Sequence, residues 1–275
     1  MPMRLSIVFL SFVVLLPGRM CGAAEEKAPT VRPVVAAHAH NDYEHKRPLH
    51  DALGQGFCSV EADIFLVAGK LLVAHNLIDV RPSRTLEALY LDPLARRVKK
   101  NGGRVYRGGP EFTLLVDIKS DGATTYKALA KVLARYGHML TTSRGGKLEK
   151  KAVTVVISGN RHVASIKADR IRYAGIDGRL GDLNSDAPAG LMPLISDRWT
   201  SHFRWRGEGA ISKAEREKLE KIVAKAHAGG RRIRFWATPE KTSVWKELHR
   251  AGVDHINTDD LAGLAKFLRA VKKGK

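Results

Sequence analysis

The stretch Cys58–Ile64, "CSVEADI", joins the pattern of a buried strand to a pair of carboxylates, and it decides the fold. Successive side chains of a strand point to opposite faces. One face would then carry polar side chains: Ser59, Glu61 and Asp63. The other face would be wholly apolar: Cys58, Val60, Ala62 and Ile64. The apolar face suits packing against helices, which leaves the two carboxylates on the opposite side, near the carboxyl end of the strand.

Other apolar, β-branched runs alternate with helical patterns before and after this stretch. The predicted strands are 34–38, 58–64, 113–119, 153–158, 171–177, 192–197, 232–237 and 254–258, and 69–75 is an extra strand or loop. The clearest predicted helices are 124–137, 212–230, 239–252 and 259–273. This alternation predicts a (β/α)8 TIM barrel, which typically needs about 250 residues. A doubly wound open sheet is the alternative, but no Gly-rich dinucleotide fingerprint supports it.

A second predicted strand, "TLLVDIK" at 113–119, sends another acid toward the same end of the barrel. Alternation places Asp117 with Leu115 and Lys119 on the inner face. TIM barrels keep their active sites at the carboxyl ends of the strands. Three converging carboxylates repel one another unless a cation lies between them, and Mg²⁺ or Ca²⁺ bound through oxygen ligands is a natural solution. The alternative is internal salt bridges to Lys119 or to an arginine.

Two histidines end strand patterns close to these acids. His38 ends the first predicted strand, within "AHAHNDYEH" at 37–45, and His75 ends "LLVAH". Histidines so placed can act as general base and general acid near neutral pH. We therefore predict that His38 and His75 are catalytic, and that His40 begins the following loop and shapes the mouth of the site.

The chain is strongly basic, with a formal net charge of +19 over 275 residues. Such a charge favours anionic partners, although a solvated basic surface is the plainer alternative. No nucleic-acid-binding motif is present, so no specific nucleic-acid partner is expected.

The first residues have the pattern of a secretory signal peptide. Arg4 precedes a short apolar run, and small residues follow before a charged stretch. We predict a signal peptide at 1–24, a loose lead-in at 25–32 and a single barrel domain at 33–275. The mature protein would be exported, either periplasmic or secreted; an uncleaved anchor is the alternative. It would keep Cys58 alone, which excludes an intramolecular disulfide.

Beyond these patterns, the chain resembles a known superfamily. His38 with Asn41 three residues later, "VEADIFLVAGKLLVAH", "LLVDIK", "FWATPE" and "GVDHINTDDL" are similar to the glycerophosphodiester phosphodiesterase and PI-PLC-like superfamily. "HAHNDY", "RTLEALYLDPL", "TLLVDIKSDG" and "VVISGNR" look most like its altered-inheritance-of-mitochondria protein 6 branch. The resemblance spans nearly the whole chain after the predicted signal peptide.

The resemblance implies a TIM barrel that cleaves phosphodiesters with one Mg²⁺ or Ca²⁺ ion. Residue by residue, it implies metal ligands at Glu61, Asp63 and Asp117, and an acid/base pair at His38 and His75. It also implies a substrate-binding set: His40, Asn41, Lys119, Trp236 and Asp259. The substrate would be a small phosphodiester or a phospholipid, with peripheral contact to anionic membranes, and the protein a monomer.

The sequence departs from the phosphodiesterase pattern at positions that bear on which alcohol or headgroup of the substrate is recognised. His38-Ala39-His40 replaces the usual His-Arg-Gly, and the following Glu-Asn-Thr is absent. The third acid, Asp117, replaces a Glu, as in the sphingomyelinase D relatives.

Two other functions were weighed. A metal-dependent amidohydrolase also uses His-x-His on its first strand and an acid such as Asp259 on its eighth. It further needs histidines where strands five and six end, and here those strands end in Asp177 and Asp197. A non-catalytic secreted binder of anionic lipid would show a broken acid and histidine set, and here the set is intact.

Overall fold

A computed structural model describes residues 31–273. The predicted signal peptide and residues 25–30 of the predicted lead-in lie outside the described residues. Within residues 31–273 the strands are β1 (Val34–Ala39), β2 (Phe57–Val67), β3 (Lys70–Val73), β4 (Phe112–Ile118), β5 (Thr142–Arg144), β6 (Lys147–Glu149), β7 (Val153–Gly159), β8 (Ile171–Arg172), β9 (Ala174–Gly178), β10 (Leu194–Arg198), β11 (Arg232–Trp236) and β12 (His255–Thr258).

A closed barrel of parallel strands forms the centre of the protein. The strand order is β1-β12-β11-β10-β9-β7-β4-β2, and pairing of β2 with β1 closes the ring. Each of the predicted strands corresponds to one of these eight, so the predicted (β/α)8 barrel is confirmed. The stretch predicted as an extra strand or loop forms β3, which pairs antiparallel with β2.

Helices surround the barrel and supply the outer layer. They are α1 (His50–Gly54), α2 (Asp92–Lys100), α3 (Gly122–Ala134), α4 (Val163–Ala168), α5 (Trp199–His202), α6 (Lys213–Ala228), α7 (Thr242–Ala251) and α8 (Leu261–Lys273). Local chemistry fixes their ends: the Asp121 side chain accepts from the backbone N–H of Thr124 at 2.9 Å and caps α3. Gly252 ends α7 in the left-handed conformation that glycine adopts without strain.

The structure departs from an ideal barrel in two places. Between β9 and β10 the connection holds a 3₁₀ helix, Leu180–Asn184, instead of an α-helix. A small antiparallel sheet of β6, β5 and β8, which the sequence did not predict, lies outside the barrel sheet. Its β5–β6 hairpin turns at Gly145 and Gly146, both with positive φ, because a two-residue turn of this kind suits glycine.

The barrel interior changes from apolar to polar along its axis. Leu115, Val156 and Leu194 form a separate buried apolar cluster. Beyond it, the register aligns Asp63 with Asp117 and Asp117 with Ser158 at the carboxyl ends of their strands. The functional side chains therefore project from a packed layer that holds them in place. Among the described residues no helix has both the length and the apolar character needed to cross a bilayer.

Candidate active site

A cluster of carboxylates lies at the carboxyl end of the barrel. One oxygen from each of Glu61, Asp63 and Asp117 lies within 4.8 Å of the other two. Glu61 and Asp63 come from β2 and Asp117 from the neighbouring β4, as strand alternation predicted. The sequence therefore located the cluster correctly, down to the residues that form it.

Two cationic side chains contact this cluster. Lys119 Nζ lies 3.0 Å from Asp63 Oδ2 and 3.0 Å from Asp117 Oδ1. Arg234 Nη1 donates to Glu61 Oε2 at 2.6 Å. Burial would raise the pKa of Glu61, but Arg234 and His38 hold it well below its usual value. These pairs are the internal salt bridges that the sequence left open as an alternative to a metal.

Asp63 is less well compensated. Burial and the nearby Glu61 raise its pKa to about 6, although Lys119 and Tyr43 act in the opposite direction. Its Oδ1 atom is buried and has no hydrogen-bond partner. An orphaned carboxylate oxygen beside two further acids is an arrangement that an oxygen-preferring divalent cation satisfies. The three residues thus fit Mg²⁺ or Ca²⁺.

Gly159 makes room for Asp117. It has a φ of +66°, and a Cβ atom there would collide with Asp117 Oδ1 and with the carbonyl oxygen of Ile118. Glycine is the residue that tolerates both the backbone angle and the close approach. The end of β7 is therefore shaped around the third carboxylate.

His75 lies two residues beyond β3, at the edge of the cluster. Its Nδ1 atom is 3.0 Å from Tyr43 Oη and 3.4 Å from Asp63 Oδ2. Tyr43 Oη also contacts Asp63 Oδ2 at 2.7 Å and Asn41 Oδ1 at 2.8 Å. The imidazole is oriented by this network while its side chain stays 52% exposed, so it is accessible to a substrate.

His40 follows β1 and faces the same cavity. Its Nδ1 atom lies 2.8 Å from Asp259 Oδ1. A carboxylate accepts, so Nδ1 carries the hydrogen and Nε2 is left with a lone pair for a ligand. Burial lowers the pKa of His40, but Asp259 and Glu61 more than offset this and raise it. Asp259, predicted to bind substrate, is instead the partner of His40.

His38 occupies a different environment from the predicted one. Its side chain is 1% exposed, and it is absent from the lining of the cavity that His40 and His75 share. Arg234 Nη1 donates to its Nε2 at 2.5 Å, so its Nδ1–H donates to Ser59 Oγ at 2.7 Å. Burial and Arg234 lower its pKa to about 4. This geometry does not favour the predicted proton transfer from His38 to a substrate, because both ring nitrogens are engaged below the cavity floor.

Arg234 is a site residue that the sequence reasoning missed. It is buried on β11, yet it lines the cavity and contacts both Glu61 and His38. The alternation that places Trp236 at the mouth also places Arg234 on the same inner face, two residues earlier. That signal was present in "RIRFWA" and would have identified it.

The cavity itself has a volume of about 430 Å³. Its lining is His40, Asn41, Glu61, His75, Asp117, Ile118, Lys119, Ser158, Gly159, Asn160, Arg179, Arg234 and Trp236. Cavities of about 250 and 280 Å³ also lie at the amino ends of the strands, but no predicted site residue lines them. The carboxyl-end cavity thus contains most of the predicted site, together with Arg179 and Arg234.

Two family models match parts of the chain that form this cavity. Residues 28–174 match the AIM6-like phosphodiesterase domain, which covers the carboxylates, His40, His75 and Lys119. The chain belongs to the AIM6-like phosphodiesterase domain family. Residues 232–262, which carry Arg234, Trp236 and Asp259, match the glycerophosphoryl diester phosphodiesterase family.

Two curated fungal proteins are similar to this AIM6-like chain. Altered inheritance of mitochondria protein 6 of Eremothecium gossypii is 29% identical, over 90% of this chain and 76% of that protein. The homolog from Arthroderma benhamiae is 26% identical, over 82% of each.

A solved structure supports the fold. A glycerophosphodiester phosphodiesterase from Parabacteroides distasonis superposes with a TM-score of 0.51 at 14% identity, covering 88% of this chain and 99% of that one. At this identity the likeness establishes the TIM barrel alone.

The amidohydrolase alternative has no support in the site. Asp177 at the end of β9 is fully buried, where it accepts hydrogen bonds from Ser158 and Ser196. His38 and His40 share no metal-binding cluster among the described residues, where the one such group is Glu61, Asp63 and Asp117.

Proposed function

We propose that this AIM6-like domain hydrolyses a phosphodiester in the carboxyl-end cavity, with one divalent cation held by Glu61, Asp63 and Asp117. One observation carries the proposal: Glu61, Asp117, Lys119 and the accessible His40 and His75 line a single cavity, and buried Asp63 belongs to the same carboxylate cluster. A bound divalent cation would offset negative charge on the phosphate oxygens. The substrate would be a glycerophosphodiester or a phospholipid-type molecule.

The cationic side chains would hold the phosphate. Lys119 Nζ lies between Asp63 and Asp117, where it can donate to a non-bridging oxygen. Arg234 supplies a guanidinium to the same space. Ala39 stands where the resembled family carries an arginine, so we propose that Arg234 replaces that cation from β11, two strands away from β1 in the barrel.

His40 and His75 would transfer the protons. One of them accepts the proton of the attacking oxygen, while the other donates a proton to the departing alcohol oxygen. His40 is oriented by Asp259 and His75 by Tyr43, so each presents a fixed ring to the cavity. His38 would act indirectly, by holding Glu61 and Arg234 in position. This revises the role that the resemblance implies for His38.

A phospholipid substrate has support from the surface beside His75. Leu77 is 63% exposed and Ile78 is 84% exposed, and they lie two and three residues after His75. With the basic net charge of the chain, these side chains suit insertion into an anionic lipid surface. Replacing both with serine should weaken sedimentation with phosphatidylserine vesicles; unchanged sedimentation would reject this contact.

The function is tested by turnover of a panel of diesters. The purified protein should release alcohol from a glycerophosphodiester or lysophospholipid with Mg²⁺ or Ca²⁺, and EDTA should abolish the reaction. Asp63→Asn and Asp117→Asn should each lose most activity, whereas Asp186→Asn, which removes an exposed acid, should not. Turnover that persists in EDTA, or in both site variants, would exclude the proposed metal site.

A further inference from the structure

The wall of the cavity beyond the carboxylates is basic. Arg179 follows β9, lines the cavity and has a side chain that is 30% exposed. Its Nη1 atom donates to Asp177 Oδ2 at 2.8 Å, and its Nη2 atom lies 3.4 Å from Ser158 Oγ. The guanidinium is thus held in one orientation while part of it stays open to the cavity.

More arginines follow the same strand ends. Arg161 follows β7 by two residues, at the same end of the barrel as Arg179, and burial together with the charge of Arg179 lowers its pKa. Its Nε atom is buried without a hydrogen-bond partner. Arg198 ends β10 and stacks over the ring of Trp236 at 5.6 Å. We call Arg161, Arg179 and Arg198 the basic arc.

The acids at the same strand ends, Asp177 and Asp197, offset part of the charge of the arc, but neither of them lines the cavity. Asp177 is buried beneath it, and its Oδ2 accepts from Ser158, Ser196 and Arg179. Asp197 faces His202 at 3.2 Å. The acids that line the cavity, Glu61 and Asp117, come from β2 and β4. Within the cavity lining, the carboxylates of Glu61 and Asp117 pair with Lys119 and Arg234, and Arg179 adds a further cation from β9.

The spacing between the carboxylate cluster and the basic arc fits two anionic groups on one molecule. Ser158, which contacts Arg179, is the register neighbour of Asp117. Neighbouring strands lie about 5 Å apart, so the arc begins about 5–10 Å from the carboxylate cluster. A phosphodiester bound at the cluster would place its headgroup against the arc.

We propose that the basic arc binds a second anionic group, so that preferred substrates are phosphodiesters whose headgroup carries a further phosphate. This inference rests on the proposed function and specifies its substrate class. A cationic headgroup such as choline is disfavoured by the same side chains, because like charges repel in a partly desolvated cavity.

A matched pair of substrates tests the proposal. Glycerophosphoinositol 4-phosphate and glycerophosphoinositol differ in one phosphate. Wild-type protein should prefer the first by about tenfold or more in kcat/KM, since hydrogen bonds to charged groups contribute about ten- to a hundredfold in affinity. Arg179→Gln and Arg161→Gln should each reduce that ratio, and Arg179→Lys should reduce it less. Arg96→Gln, an exposed arginine on α2, should leave it unchanged.

The outcomes separate this inference from the proposed function. Equal turnover of both substrates, or a ratio that neither glutamine variant changes, would overturn the second anion site while the phosphodiesterase stands. If no diester is turned over, the proposed function fails, and calorimetric binding of the same two compounds decides the inference. A binding preference for the phosphorylated compound that Arg179→Gln removes would sustain it, and equal binding would reject it.

Discussion

Two histidines two positions apart show how strongly the surroundings set the chemistry of one residue type. His38 is enclosed by Ser59, Arg234 and Glu61, and its pKa falls to about 4. His40 lies two residues further along the chain, nearer the mouth of the barrel, where Asp259 and Glu61 raise its pKa. The pair is indistinguishable by residue type, so the difference arises from the burial of each ring and from the charged groups beside it.

Asp42, in the same loop, gives a prediction on pH and stability. It is fully buried, accepts from the backbone N–H of Leu49 and from Tyr90 Oη, and has one oxygen without a partner. Burial raises its pKa from 3.8 to about 6 despite these hydrogen bonds. The folded state therefore binds this proton more tightly than the unfolded state, and the resulting stability is present below pH 3.8 and lost as pH rises through about 6.

Asp42→Asn should remove this pH dependence. The amide oxygen can still accept both hydrogen bonds, while the buried charge is gone. At pH 7 the free energy of unfolding should rise by up to about 3 kcal/mol, the equivalent of the pKa difference. Urea denaturation at pH 4.5 and pH 7 measures this, with Asp186→Asn as control. A variant that is clearly less stable than wild type at pH 7 would show that the charge itself is needed.

The site is assembled from the carboxyl ends of the strands. At the end of β7, the space beside Asp117 admits only a residue without a side chain. Gly159 ends β7 at a φ of +66° against Asp117. Gly159→Ala should destabilise the protein by about 1–3 kcal/mol and displace the carboxylate, weakening metal binding. Gly102→Ala is the matched control, because Gly102 has a φ of +72° with open space around it. Equal effects of the two variants on stability and on metal affinity would show that the contact with Asp117 is unimportant.

Alternation along strands was enough to predict the carboxylate cluster, whereas the substrate-binding roles of His40, Asn41, Trp236 and Asp259 were assigned from the family resemblance. Glu61, Asp63 and Asp117 follow from a period of two within two apolar strands. The depth of His38 and His40 in the barrel does not follow from this alternation. It depends on how β1 pairs with β2, and the register of that pairing shifts between Val34 and His38. The position of Arg179 was equally hidden, because a buried acid from its own strand end, Asp177, orients its guanidinium. The β5–β6–β8 sheet was missed because its strands are two or three residues long.

For the whole molecule, binding of the proposed metal ion would be linked to folding. The carboxylate cluster joins β2 to β4, so a cation bound there stabilises the closed barrel and not the unfolded chain. At a free ion concentration a hundred times Kd, the added stability is about 2.7 kcal/mol. Since Tm moves by about 2–4 °C per kcal/mol for a chain of this size, a rise of about 5–10 °C is expected.

Thermal unfolding with increasing Mg²⁺ or Ca²⁺ measures this rise. Asp63→Asn and Asp117→Asn should lose it, and Asp186→Asn should keep it. An equal rise in all variants would mean that the ion acts elsewhere on the protein.

The central claim is that His40 and His75 exchange protons with a phosphodiester at the mouth of the barrel, above a buried His38. The most direct test is the pH dependence of kcat/KM for wild type, His40→Asn, His75→Asn and His38→Asn on one diester. We expect a bell-shaped wild-type profile and losses of about 10²–10⁴-fold for His40→Asn and His75→Asn, each with one limb removed. His38→Asn should lower Tm and keep both limbs. A His40→Asn variant with near-normal activity and an intact bell, beside a His38→Asn variant that loses a limb, would contradict the account.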